Sequence, residues 1–100
     1  MFWFRKKKYI GKTILVGISV FSAEGELLDR FQYFGEIVSI GKDVIRIKTD
    51  EGDSRTIPPD LSAIEKAKKG IYTLKSSGRQ IENPDFVSSW SITKAKEEGV

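Results

Sequence analysis

The chain has no cysteine and no histidine. Without thiols there is no disulfide, no thiolate nucleophile and no sulfur-held metal. Without imidazole there is no Ser-His-Asp triad, no Cys-His pair and no histidine-held zinc. Any catalysis would have to run on carboxylates, lysine, tyrosine or a borrowed cofactor. A phosphate-cradling glycine loop is missing as well. Gly11-Lys12-Thr13 looks like the end of one, but the earlier glycine is not at the required spacing, and a strand pattern follows where a helix is needed. No run approaches the ~18 consecutive apolar residues of a membrane-crossing helix. Asp50, Glu51 and Asp53 do not follow the spacing of a calcium loop, so a polar turn is their expected role. No cofactor and no metal are expected, and the chain is not expected to be an enzyme.

What is present describes one globular domain. The 100 residues are 39% hydrophobic and 31% charged, which is enough apolar material for a single core and too little charge imbalance for a disordered chain. The net charge of +3 is unevenly placed. Residues 1–12 hold Arg5, Lys6, Lys7, Lys8 and Lys12 with no acid, and the remaining 12 basic and 14 acidic side chains leave the body slightly negative. The basic character therefore belongs to the leader and not to the domain.

Turn residues divide the body into short alternating runs. Thr13 to Phe21 places Ile14, Val16, Ile18 and Val20 on one face and Leu15, Gly17, Ser19 and Phe21 on the other, the pattern of a half-buried strand. Gly25 turns the chain into a long second strand, Leu27 to Ile40, with Gly35 inside it where strands bend or bulge. Val44–Thr49 and Ser54–Ile57 flank a tight turn at Asp50–Asp53, and Pro58-Pro59 ends the ladder. Asp60 reads as a helix cap and Gly70 as the stop of a helix of at most two turns. Ile71–Lys75, Gln80-Ile81 and Val87–Thr93 complete the strands. The predicted fold is mainly β: a small antiparallel five- to six-stranded SH3-like barrel, or a strongly bent meander, with one short helix. The divisions are a leader at 1–12, a single β-barrel domain at 13–93 and a charged tail at 94–100.

The motifs Tyr9-Ile10-Gly11, Leu15-Val16-Gly17-Ile18, Ile57-Pro58-Pro59-Asp60-Leu61, Gly70-Ile71-Tyr72, Ser77-Gly78 and Asn83-Pro84-Asp85 with Trp90 resemble as a set the pattern of an uncharacterised family of small bacterial β-rich proteins. The resemblance covers residues 9 to 93. It implies a bacterial source and a cytoplasmic setting. That family has no established activity, so the resemblance assigns no catalytic or binding residue. Its members are richer in proline just before the position of Gly70, where this chain has Glu65-Lys66-Ala67-Lys68-Lys69.

A signal-peptide reading competes at the N-terminus, with Arg5–Lys8 as the charged region, Ile14–Val20 as the apolar region and cleavage near Ser22 or Ala23. Lys12, Gly17 and Ser19 interrupt that apolar run, so a cytoplasmic protein is the expectation and secretion the alternative.

Two groups of residues stand out as contacts. Phe2, Trp3, Phe4, Arg5, Lys6, Lys7 and Lys8 could meet an anionic membrane surface, grip nucleic-acid phosphates, or cap an open end of the domain. At about 1 kcal/mol per basic residue, the five leader cations give a dissociation constant of about 0.1 to 1 mM before ordering costs, a salt-sensitive association. Phe31, Tyr33 and Phe34 cannot all face one way, so at least one lies opposite its neighbours, as core on a bent strand or as a contact patch. The leading expectation is a non-catalytic module that recognises a protein partner. The alternative is a nucleic-acid-binding barrel that uses the leader with Arg46, Lys48 and Arg55. Pairing of an exposed edge strand with a second copy would make a homodimer.

Overall fold

The strands are β1 (Thr13–Phe21), β2 (Leu27–Ile40), β3 (Ile45–Thr49), β4 (Ser54–Ile57), β5 (Glu65–Lys66), β6 (Ile71–Thr73), β7 (Gln80–Glu82) and β8 (Phe86–Thr93), and all but β5 fall in runs that alternation and turn residues predict. The computed structural model describes residues 6–75 and 77–95. Phe2, Trp3, Phe4 and Arg5 of the leader, and the tail from residue 96, lie outside the described residues. The order in the main sheet is β4-β3-β2-β1-β8-β5, and β6 pairs with β7 in a separate hairpin.

The antiparallel expectation needs one correction. Strands β1 to β4 form an antiparallel meander, but β8 lies parallel to β1, with Ile14 opposite Phe86 and Phe21 opposite Thr93. The chemistry at the strand starts fixes this direction. The Thr13 N–H and hydroxyl both donate to Asp85 Oδ2, at 2.9 and 3.0 Å, and the Asp85 N–H donates back to Thr13 Oγ1 at 2.9 Å. Two strands that are clasped at their first residues must run the same way. The sheet is mixed and not closed, with β4 and β5 as its two edges.

A second correction concerns β1, which is buried on both faces. Ile14, Val16 and Ile18 enter the main core with Ile37, Ile45, Ile47, Ile57, Ile64 and Phe86. On the opposite face Leu15 is buried against Leu74 and Ile81, with Phe34, Tyr72 and Val87 packed around them. The β6–β7 hairpin supplies that second layer. It is held down by the Lys75 N–H, which donates to Gln32 Oε1 at 3.1 Å, and by an ion pair between Arg79 and Asp50.

The expected helix is the third correction. Asp60 does cap, accepting from the Ser62 N–H at 3.0 Å, but the turn it starts is a single 3-10 turn, Leu61–Ala63. Ile64 is already extended and buried, and Glu65 and Lys66 pair with β8. Core burial of Ile64 and the β5 ladder outweigh the weak helical preference of so short a segment.

Strand β2 passes from one partner to the next at Gly35, which is opposite Ile14 of β1 and Thr49 of β3. Register slips occur at Leu28 and Val38 and not at Gly35 itself, so the bulges flank the position where a bend was expected. Both slipped residues are exposed large apolar side chains.

Candidate functional site

Residues 6–12 are not a free strand of chain. The Lys6 carbonyl accepts from the N–H groups of Tyr9 and Ile10, at 3.0 and 3.1 Å, which makes one helical turn. Gly11 then donates to the Ile37 carbonyl at 2.8 Å, and the Ile37 N–H donates to the Lys12 carbonyl at 2.9 Å. This anchoring sets the Tyr9 ring on Phe86, with centroids 5.0 Å apart and planes at 46°. Phe86 begins β8, and its ladder neighbour on the far side is Lys66 of β5.

The result is a groove of about 340 Å³ with Tyr9, Phe86 and Ile64 below and Lys8, Lys12 and Lys66 on its rim. Asp85 is its one carboxylate among the described residues. The Lys8 ammonium lies 5.8 Å from the Tyr9 centroid, a cation–π arrangement. Lys68 and Lys69 follow β5 just after the Ala67 N–H donates to the Asp85 carbonyl at 3.1 Å. Two basic stretches more than fifty residues apart in sequence thus meet at one end of the sheet. Around the groove itself Lys8, Lys12 and Lys66 meet Asp85, a balance of three basic to one acidic side chain among the described residues. The sequence showed half of this face, the leader. The other half needed the β5–β8 ladder, which a two-residue strand does not announce.

The candidate residues divide between this end and the rest of the sheet. Lys6 and Lys8 belong to the basic end, as does Lys7. Phe31 and Tyr33 pack against the main core and Phe34 against the second cluster, all half-buried, so they are the two faces of one strand interior. Trp90 also packs on the main core, but its indole N–H is buried with no acceptor among the described residues. Arg46 and Lys48 project from β3 on the face opposite Ile45 and Ile47 and are exposed. Arg55 is on the other face, across from Ile47. There it donates to Asp53 Oδ2 at 3.0 Å, and its guanidinium sits 5.6 Å from the Tyr33 centroid. The trio Arg46, Lys48 and Arg55 is therefore split between two faces.

Asp53 also accepts from the Thr49 hydroxyl. That hydrogen bond, followed by the one from Arg55, holds the Asp53 carboxyl below its ordinary value. The Thr13 N–H does the same for Asp85, with the Thr13 hydroxyl and nearby Lys12 adding to it. Burial pushes the Tyr33 phenol up, against the smaller opposing effect of Arg55. Among the described residues no group of three or more acidic side chains is placed to hold a metal ion.

These shifts set a pH dependence. Depressed carboxyl values mean that the bonds of Asp53 and Asp85 contribute fully above their ordinary 3.8 and are lost as pH falls through the folded values. A raised phenol contributes fully below its ordinary 10.0 and is lost as pH rises through the folded value. The melting temperature should be level through neutrality and fall at both extremes. Asp85→Asn should make the acid limb shallower, and Tyr33→Phe the alkaline limb. Limbs unchanged in thermal melts of these variants would show that other groups set them.

Comparison with protein-family models, curated proteins and solved structures gives no match. No helix among the described residues is long and apolar enough to cross a membrane.

Proposed function

We propose that this chain is a binding module with no chemistry of its own, which holds an anionic partner on the lysine-rimmed groove over Tyr9 and Phe86. The observation that carries this is the meeting of Lys8, Lys12 and Lys66 around one groove with Asp85 as its only counter-charge among the described residues. Concentrated like charge costs folding free energy unless something of opposite sign offsets it. The groups whose protonation is shifted support binding over catalysis. Asp85 and Asp53 accept hydrogen bonds that hold strands and turns together, and the Tyr33 ring is part of the core edge.

The partner in this reading is a macromolecule that carries negative charge, which narrows the expected protein-recognition module to one with an electrostatic contact. A nucleic-acid site built from the leader with Arg46, Lys48 and Arg55 is disfavoured, because Arg55 is engaged by Asp53 on the opposite face from the other two. A cytoplasmic setting belongs to the same proposal. Cleavage near Ser22 would remove β1, which holds both β2 and β8.

The test is a comparison at constant net charge. Lys8→Glu/Lys12→Glu/Lys66→Glu reverses the groove, and Lys42→Glu/Lys75→Glu/Lys94→Glu reverses three lysines elsewhere. At about 1 kcal/mol per lysine, the first should lose about a hundredfold in affinity for an immobilised polyanion such as heparin, and the second far less. Circular dichroism confirms that both are folded. Elution of the two variants at the same salt concentration would end the groove reading.

A further inference from the structure

We propose that a second copy of this chain pairs with the open edge of β8, joining two main sheets into one. The reason is how little of that edge is covered. Strand β5 pairs with β8 only at Phe86 and Val87, and the Ser88 hydroxyl donates to the Ala63 carbonyl at 2.8 Å. From Ser89 to Thr93 no strand of the described residues lies on that side. The bonds at either end of β8 show which way its backbone groups point. The Lys94 N–H points to β1, donating to the Phe21 carbonyl at 2.8 Å. The Asp85 carbonyl points the other way and accepts from the Ala67 N–H at 3.1 Å. Backbone groups alternate sides along a strand, so those of Ser89, Ser91 and Thr93 face outward from β1.

Nothing in the strand discourages pairing. Phe86–Thr93 holds no charged residue and no proline, and its ladder with β1 runs without a bulge. Charge, proline and bulges are the devices that keep exposed edges apart. The opposite edge, β4, has two of them, with Arg55 in the strand and Pro58-Pro59 directly after it.

The register argues for a second copy as the occupant. An antiparallel copy centred on Ser91 sets Ser91 opposite Ser91, Ser89 opposite Thr93 and Trp90 opposite Ile92. The serine and threonine positions then become hydrogen-bonded pairs, which the outward direction of their backbone groups requires. Trp90 and Ile92 fall at non-hydrogen-bonded positions, where facing side chains come closest. They share one face of β8, Trp90 packs on the main core, and Ile92 is 48% exposed. An aromatic ring opposite a β-branched side chain stabilises such a pair. The strand is thus complementary to itself, small polar on small polar and apolar on apolar, with no like charges opposed. Phe86 and its groove lie outside the paired segment, so this inference stands apart from the groove reading.

Sedimentation velocity of the whole chain over a concentration series tests this. The intact chain should pass from monomer to dimer as concentration rises. Ser91→Lys and Ser91→Asp each alter an exposed side chain and oppose like charges where position 91 meets its copy. Each alone should weaken the dimer about tenfold or more, with the circular dichroism of dilute samples unchanged. An equal mixture of the two variants should restore dimers, because opposite charges then face each other across the pair. A chain that stays monomeric throughout would overturn the proposal and leave the edge to a strand of a different protein. A dimer that Ser91→Lys leaves intact would place the contact on another edge and overturn it. A mixture no tighter than either variant alone would overturn it as well, since position 91 would not face itself.

Discussion

Gly35→Ala should lower stability by about 3 kcal/mol, a drop of about 15 °C in melting temperature for a domain of this size. The cause is steric. A Cβ on Gly35 would lie 2.8 Å from Thr49 Cα and 2.9 Å from Ile47 Cγ2, and closer still to the Lys48 carbonyl oxygen. The two nearest of these are backbone atoms of β3, which no rotamer change can move aside. Relief requires β3 to separate from β2, and β3 carries Ile45 and Ile47, both fully buried. Gly17 in β1 is the internal control, since the nearest atom to a Cβ there is Ser89 Oγ at 4.0 Å. Gly17→Ala adds ordinary contact and reduces the freedom of the unfolded chain, so it should be neutral or stabilising by up to about 1 kcal/mol. Thermal melts that show equal effects for the two substitutions would mean that β3 does not cross β2 as closely as described.

That contrast also shows how far the sequence could be read. Both glycines look alike in one dimension: each interrupts an alternating apolar run. What separates them is the strand lying over Gly35, a contact between residues some thirteen positions apart. The boundaries of β1, β2 and β4 followed from alternation and turn residues, because those signals are local. Which strands pair did not follow. Nothing in Phe86–Thr93 says that it will lie parallel to β1. The direction comes from Thr13 and Asp85 finding each other across seventy-two positions. The same reason hid half of the basic end. Lys66 falls inside the expected short helix, and only the pairing of β5 with β8 carries it beside the leader. The aromatic trio shows the opposite case. Phe31, Tyr33 and Phe34 must split between faces by period alone, and they do, with Phe34 in the layer built by the β6–β7 hairpin.

Ile45→Asp should leave no cooperative folded state at neutral pH. Ile45 is fully buried, and its ladder neighbours are Ile40 and Ile57, so a carboxylate there has an isoleucine on either side. Losing the isoleucine contacts costs about 2 to 5 kcal/mol, and burying a polar group without a partner costs a further few. Together these approach the roughly 5 to 15 kcal/mol that holds a domain of this kind together. Ile45→Val removes one methylene and should cost only about 0.5 to 1.5 kcal/mol, which separates the charge from the loss of volume. Ile47→Asp makes a sharper comparison. Position 47 is just as buried, but its neighbour on β4 is Arg55, whose guanidinium can turn from Asp53 to a new carboxylate on the same face. That variant should keep a weakened cooperative transition that Arg55→Gln abolishes, whereas Ile45→Asp should show none with either residue at position 55. Denaturant unfolding followed by circular dichroism distinguishes them. Equal melts for the two aspartate variants would show that the β3–β4 register does not place Arg55 beside Ile47.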